Sequence, residues 1–199
     1  MDTRRRIIDA ARDLFWEKGY NSTSVADILS RSQVNSGSLY HFFPSKQDVL
    51  VGVLLDYRDG IDQMLLSPAW DGIDDPFEKI FALLAHYRWQ LVETDCLYGC
   101  PIGSLALELH EPDPAVRALL AANFANWTTA IEARLADAAA RLPPDLDRKA
   151  LAEFVLTAME GAVMQARTHR DVGYFDRMVA TLRGHFAMLQ TSARLPASV

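Results

Sequence analysis

Val34-Asn35-Ser36-Gly37-Ser38-Leu39-Tyr40-His41-Phe42-Phe43-Pro44-Ser45-Lys46 is the stretch on which the fold turns. Pro44 cannot sit inside a helix, so Asn35 to Phe43 reads as a short helix stopped there. Ser45, with Asp48 three residues on, marks the start of the next. The short helix is made of small polar residues, Gly37 and two hydrogen-bonding aromatics, which leaves Leu39, Phe42 and Phe43 to anchor it inward. Hydroxyls and unpaired amides at a helix N-terminus bind phosphate oxygens, and a glycine permits close backbone approach. Tyr40 and His41 reach further, to a phosphate, a thymine methyl or a base edge. Such a surface fits the groove of a duplex.

Upstream, Ser22 to Ser30 is a second short helical candidate, joined to the first through Arg31-Ser32-Gln33-Val34. Neither is long enough to hold itself up. Before them Ile7, Ile8, Ala11, Leu14 and Phe15 form one stripe of a helix from Thr3 to Lys18, stopped at Gly19. Two short helices packed on a longer one are the parts of a helix-turn-helix. Downstream the helical period recurs without a period-two run. The stripe Val49 to Leu65 predicts about 20 residues broken by Ser67 to Gly72, and Pro76 opens another helix ended by Tyr98 to Pro101. Ile102 to His110 is short, Asp113-Pro114 starts a long helix closed at Leu142-Pro143-Pro144, and two more cover Asp147 to Arg170 and Phe175 to Arg194. The chain is expected to be all-α with nine helices, divided into residues 1–47 and 48–199, with the tail Leu195 to Val199 frayed.

Composition narrows the function. A chain of 199 residues, 50% of them hydrophobic, buries about 70% of its unfolded surface and needs no disulfide or metal to fold. Its net charge of −6 rules out a polycation, yet residues 1–50 hold seven Lys+Arg against six Asp+Glu, so positive charge gathers at the short helices. Two cysteines, no signal-peptide stretch and no membrane-length apolar run fit a cytoplasmic protein. His86, His110, His169 and His185 lack ligand spacing, no phosphate-binding glycine loop occurs, and Glu108 with Glu111 reads as a solvated helix end. No metal, cofactor or catalysis is therefore expected. Periodicity alone leaves open a small-molecule binding protein or enzyme whose first 50 residues are structural.

The run Gly19-Tyr20-Asn21-Ser22-Thr23-Ser24-Val25-Ala26-Asp27-Ile28, followed by Gly-x-Leu-Tyr-x-x-Phe-x-x-Lys from Gly37 to Lys46, resembles the tetracycline-repressor (TetR) family of bacterial transcription regulators. The resemblance is strong over about the first 50 residues. It implies three N-terminal helices for DNA and about six for ligand binding and dimerisation, in a homodimer that a small-molecule effector releases from a near-palindromic operator. Whether such a protein represses or activates depends on where the operator lies. Carried over, the resemblance places Ser24, Ser36, Gly37, Ser38, Tyr40 and His41 on the operator and makes Lys46 a phosphate clamp. The chain departs from the family in its turn, Ser32-Gln33 where an Ala-Gly pair is common, and in Ser36 where a lysine is common. Gln33 must then accept the turn geometry without glycine's freedom, and Arg4 to Arg6 are the alternative source of charge.

An effector cavity among helices five to eight is expected to draw on Phe81, Tyr87, Trp89, Leu105, Leu109, Phe124 and Trp127, for each of which core packing is the plainer role. Tyr98 to Leu109 resembles a Gly-Cys segment of a family subset that includes electrophile-responsive repressors, which makes Cys100 a candidate sensor beside the plainer role of an inert buried thiol. The last two helices are apolar on more than one side, and Phe154, Gly161, Phe175, Met178, Leu182, Phe186 and Leu189 are the expected dimer surface.

Overall fold

The computed structural model describes residues 2–194, and the expected fraying of Leu195 to Val199 lies outside them. Every regular element among the described residues is helical, and the residues divide into two compact units. Of the described residues, the first takes in those up to Asp62 together with Cys100–Phe124; the second takes in Gln63–Gly99 and those from Ala125 on.

In the first unit α1 (Thr3–Lys18) coincides with its sequence reading and buries Ile7, Ile8, Ala10, Ala11, Leu14 and Phe15. The second helix, α2 (Val25–Ser32), starts later than Ser22 because Ser24 caps it: the Asp27 amide donates to Ser24 Oγ at 3.1 Å, and the Ser24 amide donates back to the Asp27 carboxylate at 2.8 Å. Next come α3 (Ser36–Phe42) and α4 (Lys46–Ile61), the latter capped by Ser45 as its spacing predicts. The helix α1 packs on α2, α3 and α4. Completing the unit are α7 (Pro101–Glu108) and the start of α8 (Pro114–Asp137), where Asp113 accepts from the Ala115 amide at 2.8 Å. The Asn123 amide group, buried in α8, donates to the carbonyls of Leu54 and Leu119 at 3.0 and 2.9 Å, so its polar atoms are satisfied and α8 is tied to α4.

After α4 the helical path does not stop at Ser67. One π-helical turn, Asp62–Leu66, is followed by α5 (Ser67–Trp70), where Pro68 occupies a first-turn position that needs no N–H. The break comes at Asp71-Gly72, with Gly72 at φ 69°. In the second unit α6 (Pro76–Glu93) is capped by Asp75, which accepts from the amides of Phe77 and Glu78 at 2.8 and 3.1 Å. It ends earlier than Tyr98 because Asp95 and Cys96 both turn left-handed. The last helices, α9 (Arg148–His169) and α10 (Gly173–Ala193), form a hairpin through Arg170 at φ 53°. Phe77 and Phe81 of α6 meet the Phe186 ring edge-on at 5.5 and 5.4 Å, and Arg88–Asp176 and Arg183–Glu78 ion pairs flank that seam.

Candidate nucleic-acid interface

The geometry of α3 begins with Asn35, whose side-chain oxygen accepts from the Ser38 amide at 2.8 Å and so fixes the first turn. Leu39 is fully buried, and Phe43, one turn later, is buried beside it. These two hold the helix down, while Asn35, Ser36, Gly37, Tyr40 and His41 are exposed and Ser38 is half-buried. Tyr40 is 51% exposed. Phe42 corrects the expected anchor set. It lies about 100° around the helix from Phe43, is 37% exposed, and rests edge-on against His41 at 4.9 Å.

The turn before α3 is as strained as its residues imply. Gln33 stands at φ 52°, ψ 42°, the left-handed region that glycine adopts freely. Two hydrogen bonds from the Arg6 guanidinium, to the carbonyls of Ser32 and Gln33 at 2.6 and 2.7 Å, hold it there. That occupies Arg6, and Arg5 pairs with Asp9 and Asp56, so of the three basic residues expected to supply charge only Arg4, over the Phe43 ring at 5.4 Å, has no carboxylate or carbonyl partner among the described residues. Ser24 is exposed, but its hydroxyl is hydrogen-bonded to Asp27 at 2.7 Å. The Asp27 carboxyl is held well below its usual range, first by those Ser24 bonds and then by Lys18.

Lys46 has an internal role. It is half-buried, and its ammonium donates to the carbonyls of Tyr20 and Thr23, both at 3.0 Å, and sits 4.2 Å from the Tyr20 ring centre. Two of its three N–H donors are therefore taken. The same corner is gripped from the other side by Glu108, which sequence reads as a solvated helix end. Its two oxygens accept from the amides of Tyr20 and Asn21 at 2.8 and 2.6 Å. No local pattern signals a contact across 88 residues.

Residues 7–53 match the family model for bacterial regulatory proteins of the tetR family, and residues 76–181 match the model for the LmrA/YxaF-like transcriptional regulator C-terminal domain. An HTH-type transcriptional regulator of Mycobacterium tuberculosis is 32% identical over 186 residues, which cover 90% of this chain and 92% of that one. The chain belongs to the TetR family. Its similarity extends to the HTH-type transcriptional repressor DhaR of Mycobacterium sp. strain GP1, 24% identical over 90% of this chain and 89% of that one. A crystal structure of regulatory protein TetR from Rhodobacter sphaeroides superposes with a TM-score of 0.80 at 27% identity, covering 89% of this chain and 95% of that one. This TetR-family protein is accordingly a DNA-binding transcriptional regulator and not an enzyme. Among its described residues no helix is long and apolar enough to cross a membrane, and no cluster of three or more His, Cys, Asp or Glu is placed to hold a metal.

The expected effector residues divide equally between the units. Cys100 and Leu105 are buried and Leu109 and Phe124 half-buried in the first; Phe81, Tyr87 and Trp127 are buried in the second. Trp89 is 56% exposed, so it stands on the surface and not in an enclosed cavity. Phe81 packs between Phe186 and the Arg183 guanidinium. Cys100 caps α7, its sulfur accepting from the Gly103 amide at 3.4 Å, while burial pushes the Cys96 thiol up.

The expected dimer residues also separate. Phe175, Leu182 and Phe186 fill the regulator's own core, whereas Gly161, Met178 and Leu189 are half-buried and Phe154 is 52% exposed. Sequence reading missed Met164 and Met188, 48% and 63% exposed, and His185, whose ring meets Phe154 at 6.1 Å. An open groove of about 420 Å³ on this α9–α10 face is lined by Phe154, Ala158, Met178, Thr181, His185 and Met188 among others.

Proposed function

We propose that this protein is a homodimeric, ligand-responsive repressor, in which residues 1–47 read DNA and residues 48–199 bind an effector and dimerise. The observation that carries the reading is the outward face of α3: a short capped helix held by Leu39 and Phe43, presenting Ser36, Gly37, Tyr40 and His41 to solvent with Ser38 half-buried among them. Two such helices related by a two-fold axis enter successive major grooves of a near-palindromic operator. Ser24 and the remaining N–H of Lys46 contact flanking phosphates. The apolar groove and methionines of the α9–α10 face supply the area for the two-fold contact.

An effector seated among the helices of the larger domain favours the state in which the two α3 helices are wrongly spaced. It acts only through its differential affinity for the two states. The repressor sign is supported by the relative named a transcriptional repressor.

A gel shift with the DNA flanking the protein's own gene tests the reading. Tyr40→Ala and His41→Ala each weaken that complex by about 1–3 kcal/mol where the side chain touches a base. Both substitutions lie on exposed positions and leave thermal stability unchanged. Unaltered binding in both variants overturns the assignment of α3 as the reading helix.

A further inference from the structure

We propose that Glu108 is a positioning residue for DNA reading: its carboxylate locks the α1–α2 corner, and with it the helix-turn-helix, to the end of α7. The inference rests on the reading that α3 engages a duplex. All the groups involved belong to the first compact unit. The corner Gly19 to Thr23 is a short backbone turn whose polar groups face opposite charges. Its amides at Tyr20 and Asn21 donate to the two Glu108 oxygens, and its carbonyls at Tyr20 and Thr23 accept from the Lys46 ammonium. Each contact is a charge-assisted hydrogen bond, and the four together fix both edges of the turn.

The corner's own sequence is shaped to receive the carboxylate. Gly19 lies at φ 87°, and a Cβ there would stand 2.9 Å from one Glu108 oxygen and 3.0 Å from the other. A side chain at 19 would therefore push the carboxylate out of its place as well as strain the backbone. Immediately after the corner, Thr23 is buried and Ser24 caps α2, so the direction in which α2 departs is set by the backbone that Glu108 holds. Glu108 touches none of the groups on the outward face of α3. It bears on DNA through the corner, α2 and the turn at Gln33.

Coupling of this kind is reciprocal: whatever a duplex does to the helix-turn-helix must be felt at α7, and the reverse. That makes it measurable without an effector. Hydrogen–deuterium exchange is followed on the full chain, with and without a duplex that the wild-type protein has selected from a random pool. In the wild type the duplex changes exchange across residues 101–108 as well as across α2 and α3. Glu108→Ala loses the response at 101–108 and binds the duplex about tenfold more weakly. Glu108→Gln, which keeps one acceptor oxygen, gives a reduced response and serves if the alanine variant does not fold. A merely structural Glu108 would lower the Tm and the affinity yet leave the response at 101–108 at its wild-type size. That result, or wild-type protein bound to its duplex with no response at 101–108, overturns the proposal alone. Failure of the wild type to select any duplex sinks the DNA reading and this inference with it.

Discussion

The outward faces of α3 and of the α9–α10 hairpin are both well exposed and chemically opposite. On α3 the exposed groups are Ser36, Gly37, Tyr40 and His41, with Phe42 an exposed apolar ring at the helix end, and Leu39 and Phe43 hold the helix from beneath. On α9 and α10 the exposed apolar groups include Phe154 and Met188, which line an open groove, and Met164, above a core filled by Phe175, Leu182 and Phe186. A surface that must be wetted between encounters cannot be greasy, whereas one that stays covered can be. On the proposed function, the pair of faces separates a site of reversible DNA contact from a site of lasting contact between protomers.

The sharpest way to probe that contrast is to truncate what lies under the greasy face. Phe186→Ala removes a buried ring packed on Phe77 and Phe81 and lowers the unfolding free energy by about 3–5 kcal/mol, measured by urea unfolding at fixed protein concentration. Phe154→Glu, on the open side, does the reverse. It spares the protomer core and weakens self-association by about 2–4 kcal/mol, which sedimentation reads as a shift from dimer to monomer. Equal damage to folding by both substitutions would erase the distinction between core and cover.

On the polar face the effects are smaller. Asn35→Ala deletes the cap of α3 and costs about 1 kcal/mol, seen in thermal melts, because the Ser38 amide loses its partner in a helix of seven residues. Smallest is the Glu17–Arg31 pair that joins α1 to α2 at 2.9 Å. Hydrogen bonding to Arg31 holds the Glu17 carboxyl below its usual range. A depressed carboxylate stabilises the fold fully above that usual range, and the contribution is lost as pH falls through the folded value. For a pair this exposed, solvent screening keeps the contribution small. A carboxyl chemical-shift titration should place the Glu17 midpoint below that of a free glutamate, and Arg31→Ala should bring it back up.

Much of this arrangement is legible in sequence where local chemistry decides it. The span of α1, the Ser45 cap, the Asp113-Pro114 start and the strained turn at Gln33 all follow from residues within a few positions of one another. Facing and distance are not legible in the same way. Phe42 and Phe43 are adjacent phenylalanines, and only the packing of α3 against α1 decides which one points in. On α10 two apolar stripes compete for the core, so Phe175, Leu182 and Phe186 are as plausible outside as in until the α6 rings are in place. Glu108 is invisible for a different reason: its partners are backbone amides, which every sequence has everywhere. Pro68 misleads in the other direction, since a proline ends a helix only when it falls past the first turn.

The Arg6 clamp moves a constraint along the chain. A reader-helix turn built on glycine gets its shape from the absence of a side chain, and nothing else in the protein need care. Here the shape at Gln33 is imposed by a guanidinium 27 positions upstream. Position 33 is thereby released to carry a side chain that a glycine turn could never offer, and position 6 becomes the one that cannot drift.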